Sequence, residues 1–116
     1  MRISNLAALA LAAGVLAVAS PGPVAKAEDA APQQINFTKG HFEPASFKVA
    51  ANTPLKLKVT NQDQSAIEFE SFELNRERVV QPGQTITVNL PKLDPGQYHF
   101  FDDFHHDVPQ GTITAQ

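Results

Sequence analysis

The sequence predicts an all-β domain, an antiparallel sandwich of short strands, on three observations. Leu55-Lys56-Leu57-Lys58-Val59 alternates apolar and charged residues without a break, the pattern of a half-buried strand. Thr85 to Leu90 repeats it, with Ile86, Val88 and Leu90 sharing one face. Turn signals recur about every ten residues, and no amphipathic helix competes with them.

The elements follow in order. Glu28 to Gln34 is Ala, Pro and acid, a flexible lead-in, and the domain proper runs over 35–116. Ile35-Asn36-Phe37 opens the first strand, and Phe47 to Ala50, introduced by Pro44, forms the second. Asn52-Thr53-Pro54, Pro82-Gly83 and Asp94-Pro95-Gly96 are turns. A short helical turn is allowed around Gln64 or after Glu73. Between Ile67 and Leu74 the apolar parity switches, which a bulge or bend near Glu70-Ser71 would reconcile. The last long strand carries Tyr98 and Phe100 on one side, and period two adds Asp102 to that side while Asp103 points the other way. Phe37, Phe47, Phe69, Tyr98 and Phe100 are core candidates.

Residues 1–27 form a secretory signal peptide: Arg2, an apolar run from Leu6 to Ala19, and an Ala25-Lys26-Ala27 cleavage site. Ala17-Val18-Ala19 is an alternative site. The run is shorter than the roughly 20 residues that span a bilayer, so no membrane insertion is expected after cleavage. Loss of Arg2 and Lys26 leaves seven basic residues against twelve acidic, a net charge of −5. Nucleic acid and anionic membranes are thereby disfavoured as partners, and a cation is favoured. The chain has no Cys, which removes disulfides, thiol catalysis, Fe–S clusters and thiolate metal sites.

Chemistry concentrates at the C-terminal end. Asp102, Asp103, His105, His106 and Asp107 fall within six residues, and like charges this close repel unless a cation joins them. Glu68 and Glu70 share a parity and supply a second acidic group. The competing account pairs them across a sheet with Lys56 and Lys58, each pair contributing about 0.2–1 kcal/mol without any metal. Glu73 and Glu77 read as surface charges beside Arg76 and Arg78, His99 as a surface residue opposite Tyr98 and Phe100, and His41 as an isolated loop residue. Ser46, Ser65 and Ser71 lie in no nucleophile motif.

Phe42-x-Pro44, Phe47-x-Val49, Leu57-x-Val59-x-Asn61, Pro82-Gly83 and Pro95-Gly96-x-Tyr98-x-Phe100 resemble the cupredoxins. The resemblance implies a Greek-key antiparallel β-sandwich. In that family a copper-binding Cys follows Y-x-F-x; Asp102 stands there in this chain. Asp102-x₂-His105 keeps the family's Cys-to-His spacing, His105-x₄-Gln110 puts Gln110 at the axial position, and the family's other His falls on Glu68. With Glu68-Phe69-Glu70-Ser71, Arg76 to Val80 and Phe101-x-x-Phe104-His105, the chain is similar to the EfeO-type cupredoxin-like domains. These are small periplasmic proteins that accompany bacterial iron uptake beside a membrane iron permease.

The resemblance implies Glu68, Asp102 and His105 as direct ligands, at a loop pole outside the core, with Glu70, Asp103, His106 and Gln110 supporting or replacing them. Without a thiolate the site is not blue copper; carboxylate and imidazole donors suit iron, manganese, zinc or Cu(II). Three functions fit the sequence. One is a periplasmic iron- or copper-binding accessory of iron uptake with possible ferroxidase-like activity, serving the permease and other uptake components. The second is a metal-independent adaptor docking a transporter, and the third a copper or zinc buffer.

Overall fold

The computed structural model describes residues 31–116 together with Gly14, Val15 and Ala17. The expected signal peptide lies outside the described residues apart from those three. Nine strands follow: β1 (Gln33–Thr38), β2 (His41–Glu43), β3 (Ser46–Val49), β4 (Leu55–Asn61), β5 (Ile67–Ser71), β6 (Arg76–Val80), β7 (Thr85–Leu90), β8 (Gly96–Asp102) and β9 (Gly111–Ala115). They form a four-stranded sheet, β2-β1-β4-β7, packed on a five-stranded sheet, β3-β9-β8-β5-β6. The all-β sandwich is as the sequence predicts, but both sheets are mixed. β1 runs parallel to β4 and β3 parallel to β9, while the other pairings are antiparallel. Among the described residues there is no helix; residues 63–65 form a bend and 72–75 a hairpin turn.

The alternation of β4 and β7 puts Leu57, Val59, Ile86, Val88 and Leu90 inside, as their period of two requires. β1 begins at Gln33 rather than Ile35, because Gln33 and Gln34 pair with Leu57 and Lys58 of β4. Phe42 joins the sheets: its ring centroid lies 5.0 Å from Phe37 and 5.0 Å from Phe100, which in turn lies 5.3 Å from Phe69. Gly111 lies so near the Phe100 ring that a Cβ there would overlap it.

The parity switch after Phe69 is the β5–β6 turn itself, not a bulge. Asn75, at φ 52°, closes the turn, and Ser71 Oγ accepts a hydrogen bond from the Leu74 N–H at 3.2 Å. Leu74 thereby swings back into the core. Beyond the turn, Arg76 and Arg78 share the parity of buried Val80. Arg76 donates to the Asn89 carbonyl of β7 at 3.1 and 3.2 Å, and Arg78 reaches the Thr87 carbonyl at 3.5 Å. The two guanidinium groups thus cover the exposed β7 edge and leave Glu77 and Val79 on the outer face of the five-stranded sheet.

Candidate metal centre

β5 lies between β8 and β6, so every outward side chain on it has neighbours on both sides. Phe69 points into the core; Glu68 and Glu70 point outward. Glu70 pairs with Glu77 on β6 and with Phe101 on β8, and Glu68 pairs with Val79. Asp103 continues the outward side of β8, its N–H donating to the Glu68 carbonyl at 2.9 Å. One carboxylate oxygen each from Glu68, Glu70 and Asp103 lies within 4.8 Å of the others. His106 stands beside them, Nε2 3.5 Å from Asp103 Oδ1.

Among the described residues no lysine or arginine forms an ion pair with this group. Lys56 and Lys58 belong to the other sheet, so the cross-strand ion pairs considered from sequence do not form. Arg76 and Arg78 turn to β7, leaving Glu77 with the acids rather than with its chain neighbours. Placing Glu77 directly across from Glu70 is the unfavourable like-charge arrangement of a cross-strand pair. Glu68, only 7% exposed, has its pKa raised to about 7, first by hydrogen bonding with the Glu77 carboxyl, then by desolvation and the charges of Glu77, Asp103 and Glu70. Glu70 is also raised, chiefly by desolvation and then by Asp103 and Glu77.

Asp102 lies elsewhere. It shares the inward side of β8 with Phe100 and is 1% exposed. Its Oδ1 accepts the N–H groups of Glu68 and Phe104, both at 3.0 Å, and its Oδ2 accepts His105 Nδ1–H at 2.6 Å. Glu68 therefore meets Asp102 through its backbone, while its carboxylate sits on the opposite face of the same sheet. The trio Glu68, Asp102 and His105 does not converge, and Asp102 belongs to the buried interior, not to a loop pole outside it. Its oxygens fix the turn after β8 and hold His105 in one tautomer. His105 instead lines a cleft of about 200 Å³ with Asp63, Ser65 and Asp107.

Gln110 is exposed and lines a different cleft, one that Phe72, Phe101 and Asp103 also line. His41 bonds Glu43 at 2.7 Å, away from both acidic groups. The residue that sequence reasoning missed is Glu77. A four-residue turn at 72–75 sets position 77 opposite 70, but that register needs β6 to be recognised as a strand, and Arg76-Glu77-Arg78 reads as solvated surface.

The arrangement offers oxygen donors on an open face, the set that suits hard cations. A blue-copper centre does not fit: the chain has no thiolate, and Asp102 already spends both oxygens on two N–H groups and one imidazole.

The sequence model for the cupredoxin-like domain matches residues 6–115. An uncharacterized protein of Rickettsia prowazekii is 36% identical over 94 residues, covering 81% of this chain and 75% of that protein. Among solved structures, amicyanin from Paracoccus versutus matches with TM-score 0.59 at 13% identity, covering 75% of this chain and 83% of amicyanin. A purple cupredoxin from Nitrosopumilus maritimus matches at 0.56 and 17%, covering 72% and 99%. The metal-binding domain of the Streptococcus pneumoniae Cu(I)-exporting ATPase CopA matches at 0.61 and 14%, covering 72% and 82%. At these identities the structural likeness concerns the fold.

Proposed function

The chain belongs to the cupredoxin-like domain family, and from that premise we propose that it is a periplasmic metal-binding accessory of iron uptake. The iron sits on the outer face of the five-stranded sheet, held by Glu68, Glu70 and Asp103, with Glu77 and His106 completing the donors. The observation that carries this reading is the convergence of three carboxylates, one oxygen from each lying within 4.8 Å of the others, with no lysine or arginine paired to them among the described residues. A cation relieves their repulsion and displaces the proton that Glu68 retains to about pH 7. Carboxylates stabilise Fe(III) over Fe(II) because attraction scales with ionic charge, so bound Fe(II) passes an electron to an external acceptor such as dioxygen more readily. The open face then allows transfer to a membrane permease.

The adaptor reading has one observation in its favour. Phe72 is 75% and Phe104 48% exposed, and both lie near the acids, which suits a face that docks a protein. Metal affinity separates the two. Anaerobic calorimetric titration with Fe(II), Mn(II), Zn(II) and Cu(II) gives stoichiometric Fe(II) binding if iron is the ligand. Cu(II) is expected to bind more tightly by the Irving–Williams order, so its affinity alone does not identify the cargo. Absence of binding by all four ions overturns the metal reading and leaves the adaptor.

A further inference from the structure

The outer face of the five-stranded sheet carries an aromatic pair among its acids. Phe72 follows β5 in phase with outward-facing Glu68 and Glu70, and Phe101 lies on the outward side of β8, directly across from Glu70. The two rings pack with centroids 5.2 Å apart, yet Phe72 is 75% exposed. Together they wall a cleft of about 350 Å³ that Glu73 and Asp103 also line. Phe72 borders a second cleft as well, of about 290 Å³, lined by Glu70 and Glu77. An apolar ridge thus stands between two clefts that both hold carboxylates.

A single exposed apolar side chain needs no ligand. Here the surroundings of Phe72 define one. The cleft beside Phe101 is at the small end of ligand pockets, a size that suits one large side chain of a partner. Val79, set across from Glu68 on β6 and 42% exposed, extends apolar surface to the edge of the sheet. Every ion pair among the described residues joins a histidine to a carboxylate, so no lysine or arginine is paired with Glu70, Glu77 or Asp103. Apolar contact flanked by negative charge fits a partner that is apolar at one point and positive around it. A second copy of this chain brings the same acids and is repelled, as is an anionic lipid surface.

We propose that this face docks a cationic segment of another protein. An aliphatic or aromatic side chain of that segment enters the cleft between Phe72 and Phe101, and flanking lysine or arginine side chains pair with Asp103, Glu70 and Glu77. A cation passing over the exposed ring of Phe72 gains further attraction from its face. The inference gives the docking reading above its partner chemistry. Phe72 and Phe101 are not among the proposed iron donors, so failure of the metal reading leaves it standing.

The probes are blocked hexapeptides with lysines on both sides of Leu, Phe or Trp. Control peptides carry Glu in place of Lys, or Gly in place of the apolar residue. Each is titrated into the ¹⁵N-labelled full protein with a chelator present, so that no ion bridges the two. Amide shifts should concentrate at 70–77 and 99–103, weaken as salt is raised, and fail to appear with either control. Phe72→Ala removes an exposed side chain, should melt as the parent does, and should weaken binding about fivefold or more. Glu77→Lys should weaken the lysine peptides and favour the Glu peptides. The proposal is overturned if no lysine peptide shifts these amides, if the Glu peptides bind equally well, or if Phe72→Ala binds as the unaltered protein does. Sedimentation velocity supplies the remaining arm: a dimer of the metal-free protein that Phe72→Ala dissolves would make a second copy the occupant, and overturn it too.

Discussion

Replacing Asp102 by Ala separates a carboxylate that builds the fold from those that bind a cation. The substitution leaves the Glu68 and Phe104 N–H groups without their acceptor and frees His105. Hydrogen bonds to a carboxylate contribute about 1.5–3 kcal/mol each, so the two backbone bonds together amount to about 3–6 kcal/mol. The Phe104 N–H lies in a part-buried position where water can replace the lost oxygen, which brings the expected cost to about 3–4 kcal/mol. A domain of this size has a total stability of about 5–13 kcal/mol, so the variant should be severely weakened. Urea denaturation followed by Tyr98 fluorescence and far-ultraviolet dichroism reads the change. The melting temperature should fall by roughly 12 °C or more, at about 4–8 °C per kcal/mol. A loss below about 1 kcal/mol would refute the assignment of Asp102 as a buried structural acceptor.

Other expectations follow from the same geometry. Folded Glu68 keeps its proton up to about pH 7 and the unfolded chain only to 4.5, so the folded state binds more protons between these values. This group's stabilisation is full below pH 4.5 and lost as pH rises through about 7, so the metal-free protein should melt higher at pH 5 than at pH 8. The raised Glu70 works in the same direction, whereas the lowered Glu73 acts only below its ordinary range. Glu68→Gln should flatten the pH profile, and an unchanged profile would show that Glu68 carries no shared proton. Gly111→Ala forces a methyl group against the Phe100 ring and should destabilise by about 1–3 kcal/mol, the usual cost of overpacking; a calorimetric melt unaltered from the parent would contradict that contact.

Much of the fold was legible because alternation marks which side of a strand faces the core. β4, β7 and β8 follow that rule, and it places Asp102 with Phe100 and Asp103 opposite. The same rule held a warning about the site: a residue in phase with Phe100 near the end of a core strand is buried, so it could not share an ion with outward-facing Glu68. Alternation does not say which strand lies alongside, and the parallel pairings of β1 with β4 and β3 with β9 left no local mark. Nor did β6. Its arginines read as partners for Glu73 and Glu77, but their reach to β7 is a tertiary fact, and only that reach leaves Glu77 among the acids. The pairing of His99 with Glu73 likewise depends on the β5–β6 turn folding back beside β8.

The central claim is that the cation lies on the outer face of the sheet and not at the buried end of β8. Fe(II) affinity measured anaerobically for Glu70→Gln/Asp103→Asn and for His105→Ala tests it most directly. The first variant keeps the buried Asp102 hydrogen bonds and removes two of the three converging carboxylates. The second keeps the carboxylates and removes the imidazole that Asp102 holds. The account predicts loss of at least tenfold in the first variant and near-parental affinity in the second. The opposite pattern would place the ion beside His105 and contradict the outer-face site.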